Sequence, residues 1–419
     1  MSNSYKTPAS FSGFSCLGGE CEDTCCQNWE VKIDRQHYDL LKKAMSKDEN
    51  EYNVFAQSIY LNTNPIVSDY DYAFIRMGEN GYCSMLDDKG LCSVHAKHGE
   101  AVLGDVCTMF PRVVSRAGDT IELSGALSCP EVVRRCIDEE DPLKLKRFKP
   151  SELPRSKNYP ILRELSQLDD DFYSENFNLI RENMMKIMAN EQLDLETRLY
   201  SLASLVNKLS EFYHRGCEKP GQGQIESVIA DYFDKDYSSR LDSFLKDYDA
   251  GSPLNMIVVH SILSIKLQQA ESENISLLYQ KIIQHYCDDE EGIPERLAEK
   301  LYDIRRSLDK DSQNYIDKAI TRYVLNCLYR EWFVSMPDPF TYVQMMLVRL
   351  SMLRTLIYLD IGTAHDISLT DINKKVVYIM YNFARNVEQN LEFLKVVYNA
   401  LSEQSMMNFD FSAAFIRID

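Results

Sequence analysis

The sequence lacks a basic, apolar leader and lacks an uninterrupted apolar run long enough to cross a bilayer. Residues 1–15 are small and polar, so we expect no secretion signal there. The most apolar stretch runs from Val343 to Ile361. Arg349, Arg354 and Asp360 interrupt it, so we expect no transmembrane span. These features favour the cytoplasm, where thiols stay reduced and clustered cysteines indicate a metal site rather than disulfides.

Basic residues are also scarce. The chain has 46 lysines and arginines against 64 acidic residues, which gives a formal net charge of −18. Such a chain would repel phosphate groups and anionic lipids, so we expect neither nucleic acid nor a membrane surface as a partner. Its 419 residues are enough for two or three packed units, and its hydrophobic content of 45% is ordinary for a globular protein. The sequence does not indicate an oligomeric state.

Proline is almost absent inside the apolar segments of the second part of the chain. Apolar residues recur at helical spacing between residues 195 and 212, and Asp194 is predicted to cap that helix. Another helix is predicted to begin at Pro253. Further helices are predicted at 275–286, 294–306, 312–333, 339–361, 370–386 and 388–402. Residues 161–419 are therefore predicted to form an all-helical domain.

A different kind of structure is expected before residue 161. Residues 138–160 carry four prolines and dense charge, which is typical of a linker. Within residues 1–137 we predict a helix from Asp34 to Met45, capped by Asp34, and a strand or hairpin through Arg112–Ser124. The predicted fold class is mainly α: an irregular, cysteine-rich, metal-binding N-terminal unit (1–137), a linker (138–160) and a helical domain (161–419).

Cysteine is concentrated in the first third of the chain, where nine of the twelve cysteines precede residue 137. Thiolates are soft, strong ligands, and four of them satisfy either zinc or an iron–sulfur cluster. Zinc usually binds paired C-x2-C knuckles, which this chain lacks, so iron–sulfur is favoured and zinc is the alternative. The predicted metal ligands are Cys16, Cys21, Cys25, Cys26, Cys83, Cys92, Cys107 and Cys129.

Some of these residues leave alternatives open. Cys25 and Cys26 are adjacent and cannot easily point the same way in an extended segment, so they serve two sites or one of them is unligated. His95 and His98 follow Cys92 with the spacing of a zinc half-site, but surface histidines are the more common interpretation. The remaining cysteines are predicted to be small buried hydrophobic residues: Cys136, Cys217, Cys287 and Cys327.

These motifs resemble a known family. The segment FSGFSCLGGECEDTCCQNWEVKID (11–34) resembles the opening of the flagellin lysine N-methylases, and it is similar to a broader group of zinc- or iron-chelating cysteine-cluster proteins. The resemblance continues through GDVCTMFPR (104–112) and LSCPE (127–131). In the helical part it includes RYVLNCLYREWF (322–333) and the stretch from 356 to 394. It therefore covers nearly the whole chain.

The resemblance implies a methyltransferase that moves a methyl group from S-adenosylmethionine to the ε-amino group of flagellin lysines. It also implies a [4Fe–4S] cluster held by the N-terminal cysteines. The C-x3-C-x2-C triplet of ordinary radical methyl-donor enzymes is missing, because Asn28 stands at the third cysteine position. The sequence therefore lacks the motif that would support a standard radical mechanism.

Two other functions remain open at this level. A redox protein would use the cluster without binding the methyl donor, and a non-enzymatic, metal-stapled module would use its acidic helical part to bind a partner protein. The segment Leu359–Thr363 is similar to the glycine loop of common methyltransferases. It lacks a βαβ setting, so we interpret it as a helix end stopped by Gly362. Residues that bind the donor, and the catalytic base, are not identifiable from the sequence.

Overall fold

The computed structural model describes residues 4–27, 31–64, 69–78, 81–157, 159–168, 171–213, 219–248, 253–270, 273–364 and 366–418. The protein divides into two compact units. The first comprises Met1–Thr7, Phe11–Val132 and Lys146–Arg163; the second comprises Pro8–Ser10, Val133–Leu145 and Glu164–Asp419. The interpretation of residues 138–160 as a linker stays a prediction, although this segment includes a short strand, Leu145–Arg147.

In its described residues, the first unit combines two small sheets with four short α-helices. Its strands are β1 (Ser4–Pro8), β2 (Val31–Ile33), β3 (Ile59–Leu61), β4 (Ala73–Ile75), β5 (Arg112–Ala117), β6 (Thr120–Gly125), β7 (Leu145–Arg147) and β8 (Arg163–Glu164). Its helices are α1 (Arg35–Met45), α2 (Glu49–Ser58), α3 (Ser93–His98) and α4 (Asp105–Met109). One sheet has the order β7-β1-β6-β5-β8 and the other the order β2-β4-β3.

Local sequence signals explain two of these elements. The Asp34 carboxylate accepts a hydrogen bond from the backbone N–H of His37 at 3.0 Å, so the predicted cap and helix of α1 are confirmed. The predicted hairpin is also confirmed, because β5 and β6 pair antiparallel on either side of Gly118, whose φ of 60° suits the turn. The parallel pairing of β1 with β6 joins Ser4 to Thr120 and has no local signal in the sequence.

The second unit is built from helices, which confirms the predicted mainly α class. They are α5 (Pro130–Asp138), α6 (Phe172–Glu175), α7 (Phe177–Met188), α8 (Leu195–Phe212), α9 (Gln222–Asp231), α10 (Lys235–Asp247), α11 (Leu254–Gln269), α12 (Asn274–Tyr286), α13 (Ile293–Ser307), α14 (Lys310–Arg330), α15 (Pro339–Ile361), α16 (Leu369–Phe383), α17 (Leu391–Glu403) and α18 (Ser412–Ile416).

The predicted helix limits agree with these bounds within three residues. The helix predicted to begin at Pro253 is α11, which begins at the next residue, Leu254. The helix predicted to reach residue 386 ends at Phe383, because the backbone changes to a π-helical turn over Ala384–Glu388. Asp194 caps α8 as predicted, accepting from the N–H of Thr197 at 2.7 Å.

Helix α15 is buried along nearly its whole length and forms the centre of the second unit. Its two arginines pair with carboxylates on other segments: Arg349 with Glu331, just after α14, at 3.0 Å and Arg354 with Glu196 of α8 at 2.7 Å. Arg349 and Arg354 therefore belong to a protein core, where burial of a charge requires a partner. No helix in the described part of the chain is both long and apolar enough to cross a bilayer.

Gly362 follows α15, but it does not end the helix by the left-handed conformation that such glycines usually adopt. Its φ is −67°, a right-handed value open to any residue. A Cβ atom at this position would lie 2.2 Å from Cδ1 of Ile304 and 2.7 Å from the Tyr286 hydroxyl. The predicted helix end is confirmed. Glycine is needed at this position because residues of α12 and α13 approach it too closely to leave room for a side chain.

Replacing Gly362 by alanine is therefore expected to lower the free energy of unfolding by about 1–3 kcal/mol, the usual effect of overpacking. Gly223 is the matched control, since it lies within α9 and a Cβ there meets nothing within 4 Å. Gly223→Ala should raise the same free energy by about 0.5–1 kcal/mol. Urea denaturation of both variants measures the effects, and equal changes in the two would contradict the packing explanation.

Candidate functional site

Four of the predicted cysteine ligands come together in the first unit from four separate segments. Cys83 follows β4, Cys92 caps α3, Cys107 lies in α4 and Cys25 lies in the loop before β2. Cys83 belongs to a hydrophobic core cluster, and Cys92 and Cys107 pack against it. Burial, together with the charges of the other three cysteines, raises the pKa of the Cys107 thiol to about 12. The four thiols therefore form one interacting group, which we call the first thiol group.

Three more predicted ligands form a second thiol group. Burial raises the pKa of the Cys129 thiol to about 12, and the neighbouring charges of Cys21 and Cys16 act in the same direction. Arg112 lies beside this group, since the charges of Cys16 and Cys129 act on its guanidinium, which also donates a hydrogen bond to the Phe14 carbonyl at 3.4 Å. Cys16, Cys21 and Cys129 thus form a separate set with a cation at its edge.

Backbone N–H groups point at several of these sulfurs. Gly18 donates to the Cys16 sulfur at 3.3 Å, and His95 donates to the Cys92 sulfur at 3.5 Å. Hydrogen bonds from the backbone also reach Cys83 and Cys129. Such donors stabilise thiolates and are typical of cysteine ligands in metal and iron–sulfur sites. The donor set and its surroundings therefore fit a metal centre.

The eighth predicted ligand, Cys26, is tied to the first thiol group through its backbone. Its carbonyl accepts from the N–H of Cys83 at 2.8 Å, and the residue packs against the same core cluster. All eight cysteines are free thiols. The structure thus separates the predicted ligands into a group of four, a group of three and Cys26, and which of them bind metal stays a prediction.

Among the residues that the structure describes, no three of these sulfurs lie within 4.8 Å of one another. The choice between an iron–sulfur cluster and zinc stays a prediction.

The side chains of the other predicted candidates have different surroundings. His95 is exposed, and Nε2 of His98 pairs with the Glu51 carboxylate at 2.9 Å. Among the cysteines that were predicted to be core residues, Cys136, Cys287 and Cys327 are buried, which confirms the prediction. Cys217 lies outside the described residues.

A buried ionic network lies in the second unit, and no sequence motif predicted it. Arg330 on α14 contacts the Glu388 carboxylate at 2.9 Å and the Glu331 carboxylate at 2.8 Å. Glu331 also pairs with Arg349 at 3.0 Å, and Tyr323 donates a hydrogen bond to Glu388. Glu388 closes the π-helical turn, a feature often found at functional positions. The two carboxylates balance two guanidinium groups, so the network is neutral overall.

Comparison with known protein families gives a match over the helical part of the chain. A family model for the FliB lysine N-methylase C-terminal domain matches residues 181–414, more than half of the chain. The chain belongs to the FliB lysine N-methylase family. The matched region contains both the ionic network and most helices of the second unit, whereas the two thiol groups precede it. No solved structure matches the chain.

Curated relatives extend the likeness over the full length. The chain is 22% identical over 406 residues to a lysine-N-methylase of Salmonella typhimurium, covering 93% of this chain and 92% of that protein. A lysine-N-methylase of Salmonella choleraesuis is 22% identical over 409 residues, again with 93% and 92% covered. The flagellar biosynthetic protein FliU of Salmonella muenchen is 30% identical over 165 residues, covering 37% of this chain and 94% of that protein.

Proposed function

We propose that this member of the FliB lysine N-methylase family transfers a methyl group from S-adenosylmethionine to the ε-amino group of lysines on flagellin, in the cytoplasm. The observation that carries the proposal is the match of residues 181–414 to the lysine N-methylase domain. The full-length likeness to two proteins named lysine-N-methylase supports the reaction. The name of the flagellar biosynthetic relative supports a flagellar substrate.

The chemistry sets requirements that any site in this protein must meet. A lysine amine is nucleophilic only when neutral, and its ordinary pKa is about 10.4. The protein must therefore lower that pKa, or supply a base, before the nitrogen attacks the methyl carbon. The donor is a sulfonium cation, which aromatic faces stabilise. These requirements direct attention to tyrosines and to nearby charges in the helical unit.

We further propose that the first thiol group (Cys25, Cys83, Cys92 and Cys107) holds an iron–sulfur cluster, with zinc as the alternative metal. When bound, the cluster supplies a covalent crosslink between four chain segments that otherwise share one small core. Buried thiols whose charges repel one another gain from a cation, since metal binding removes their protons and neutralises the thiolates. The other predicted ligands, Cys16, Cys21, Cys26 and Cys129, remain candidates for the same or a second centre.

Anaerobic purification followed by iron, sulfide and zinc analysis, and then by incubation with S-adenosylmethionine and flagellin, tests both proposals in one sample. We expect flagellin to gain whole methyl masses in intact-mass spectra. Flagellin whose lysines have been acetylated is the matched control and should gain none. Unmodified flagellin after incubation with fully metallated protein would contradict the methyltransferase and favour the non-enzymatic binding module.

A further inference from the structure

A cleft of about 520 Å³ opens between α12, α16 and the last turn of α15 in the second unit. The three helices pack against one another, and the cleft lies within the region that matches the lysine N-methylase domain. Its volume is in the usual range for ligand sites, which combine an apolar surface with a few polar groups. We call it the lysine cleft, because Lys281, Lys374 and Lys375 line it.

The two long walls of the lysine cleft, α12 and α16, run antiparallel. Nδ2 of Asn274, at the start of α12, donates to Oδ1 of Asn382, near the end of α16, at 2.7 Å. Lys281 lies seven residues after Asn274, and Lys375 lies seven residues before Asn382. Seven helical residues span about 10 Å, so the two lysines lie at the same end of the cleft, on opposite walls. Asp360 of α15 also lines this end.

This end of the cleft carries an excess of positive charge. Nζ of Lys375 is occupied by the Asp360 carboxylate at 2.7 Å and by the Asp360 carbonyl at 3.2 Å. Lys374 contacts Asp371 at 3.4 Å, but both side chains are exposed, and such a pair is weak. Lys281 is exposed and has no ion-pair partner among the residues that the structure describes. Three lysines against two aspartates leave one positive charge in excess, on a chain whose formal net charge is −18.

The rest of the cleft is apolar. Leu277 and Leu278 lie one turn before Lys281 on α12, and Tyr378 lies one turn after Lys374 on α16, so each wall places an apolar side chain beside an ammonium group. Leu278 is buried and forms the floor, whereas Leu277 is 40% exposed and Tyr378 is 41% exposed. The lysine cleft therefore offers a contact surface for a ligand that has a negative charge next to an apolar group.

The charge of the cleft decides between the components of the proposed reaction. A substrate lysine and the sulfonium of the methyl donor are both cations, and lysine side chains repel them. An acidic segment of a protein is attracted instead, because the cleft is a local positive region on an acidic chain. Apolar side chains next to the carboxylates of that segment would contact the exposed leucine and tyrosine, which gives the site its selectivity for the segment.

We propose that the lysine cleft is a docking site for the protein substrate, and that it binds a segment in which acidic residues stand next to apolar residues. The inference rests on the proposed function and assigns to the same enzyme a second contact, separate from its contact with the reacting lysine. Carboxylates of the segment contact Lys281 and Lys374, and its apolar side chains contact Leu277 and Tyr378. Binding energy from such a remote contact selects and orients a substrate.

Fluorescence anisotropy of dye-labelled flagellin with the full-length, metallated protein measures docking in the absence of S-adenosylmethionine. The double variant Lys281→Glu, Lys374→Glu should raise the Kd at least about tenfold, because it places like charges against the acidic segment. Tyr378→Ala should raise it at least about fivefold, since it removes an aromatic anchor. The matched control is Lys43→Glu, Lys318→Glu, which changes the net charge equally at exposed positions outside the cleft and should match wild type.

Two further measurements locate the effect. The double variant at Lys281 and Lys374 should raise KM for flagellin by a similar factor and change kcat far less, because the reacting groups are untouched. Anilinonaphthalene sulfonate, a small aromatic anion that fluoresces in apolar surroundings, reports occupancy of the cleft. Its fluorescence should be lower with the double variant than with wild type, and flagellin should displace it from wild type.

Two results would overturn the proposal. One is an equal affinity for flagellin in the double variant and in its matched control. The other is anilinonaphthalene sulfonate that binds in the cleft but is not displaced by flagellin, since the cleft would then take a small organic anion. The failure of the proposed function looks different: flagellin would dock through these lysines and yet gain no methyl group. Methylated flagellin whose Kd and KM ignore both lysines would refute the docking site alone.

Discussion

Replacing Cys107 by alanine should remove most of the iron from the purified protein and lower the thermal midpoint of the first unit. Burial and the neighbouring thiols raise the pKa of Cys107 to about 12, and α4, which carries this residue, packs against β2. A site that is saturated 1,000-fold above its dissociation constant stabilises the folded state by about 4 kcal/mol. Loss of one ligand from a cluster that joins four segments should therefore remove stability of this order.

Cys287→Ala is the matched control, because Cys287 is also a buried free thiol but follows α12 in the second unit. It should keep the wild-type content of iron and sulfide and the charge-transfer absorbance. Metal analysis, an optical spectrum and circular dichroism melting compare the two variants. Full iron content in Cys107→Ala, or equal iron loss in both variants, would show that the first thiol group does not hold the cluster.

The second large effect is expected in the buried ionic network. Glu388→Gln should lower the free energy of unfolding by about 3–5 kcal/mol, because it removes one charge of a buried pair and leaves Arg330 undercompensated. Burial lowers the pKa of Arg330, but the carboxylates of Glu331 and Glu388 raise it above its ordinary value, so the guanidinium stays charged in every variant. The Glu388 side chain is only 2% exposed, and water cannot replace the lost carboxylate.

Chemical denaturation measures this effect, and two controls define its origin. Lys374→Gln breaks an exposed pair with Asp371 and should leave stability unchanged within error. The double variant Arg330→Met, Glu388→Leu removes both charges and should be less destabilised than Glu388→Gln alone, since no uncompensated ion remains. Two results would contradict a coupled buried pair. One is a Glu388→Gln variant as stable as wild type, and the other is a double variant whose loss of stability is the sum of the losses from the two separate substitutions.

Features that depend on neighbouring residues in the chain could be predicted from the sequence. Asp34 and Asp194 cap their helices through bonds that span three residues, and such bonds have recognisable sequence signals. The helical period of the second part also reports local geometry, so most helix limits agree within a few residues. The cysteine motif indicated thiol ligands because several of them are close in sequence.

Features that depend on distant residues could not be predicted. The division of the thiols into two groups arises because the fold brings Cys83, Cys92 and Cys107 to one core and Cys129 to another position. Glu388 meets Arg330 across 58 residues of chain. Likewise, only the packing of Ile304 explains why position 362 needs glycine.

The central claim is that this protein places a methyl group on lysine, and isotopic labelling tests it most directly. Flagellin is incubated with the metallated protein and S-adenosylmethionine that carries a deuterated methyl group, and lysine-containing peptides are then sequenced by tandem mass spectrometry. We expect fragment ions that assign the deuterated methyl group to lysine ε-nitrogens. Peptides without the label, from protein that has its full complement of metal, would contradict the account.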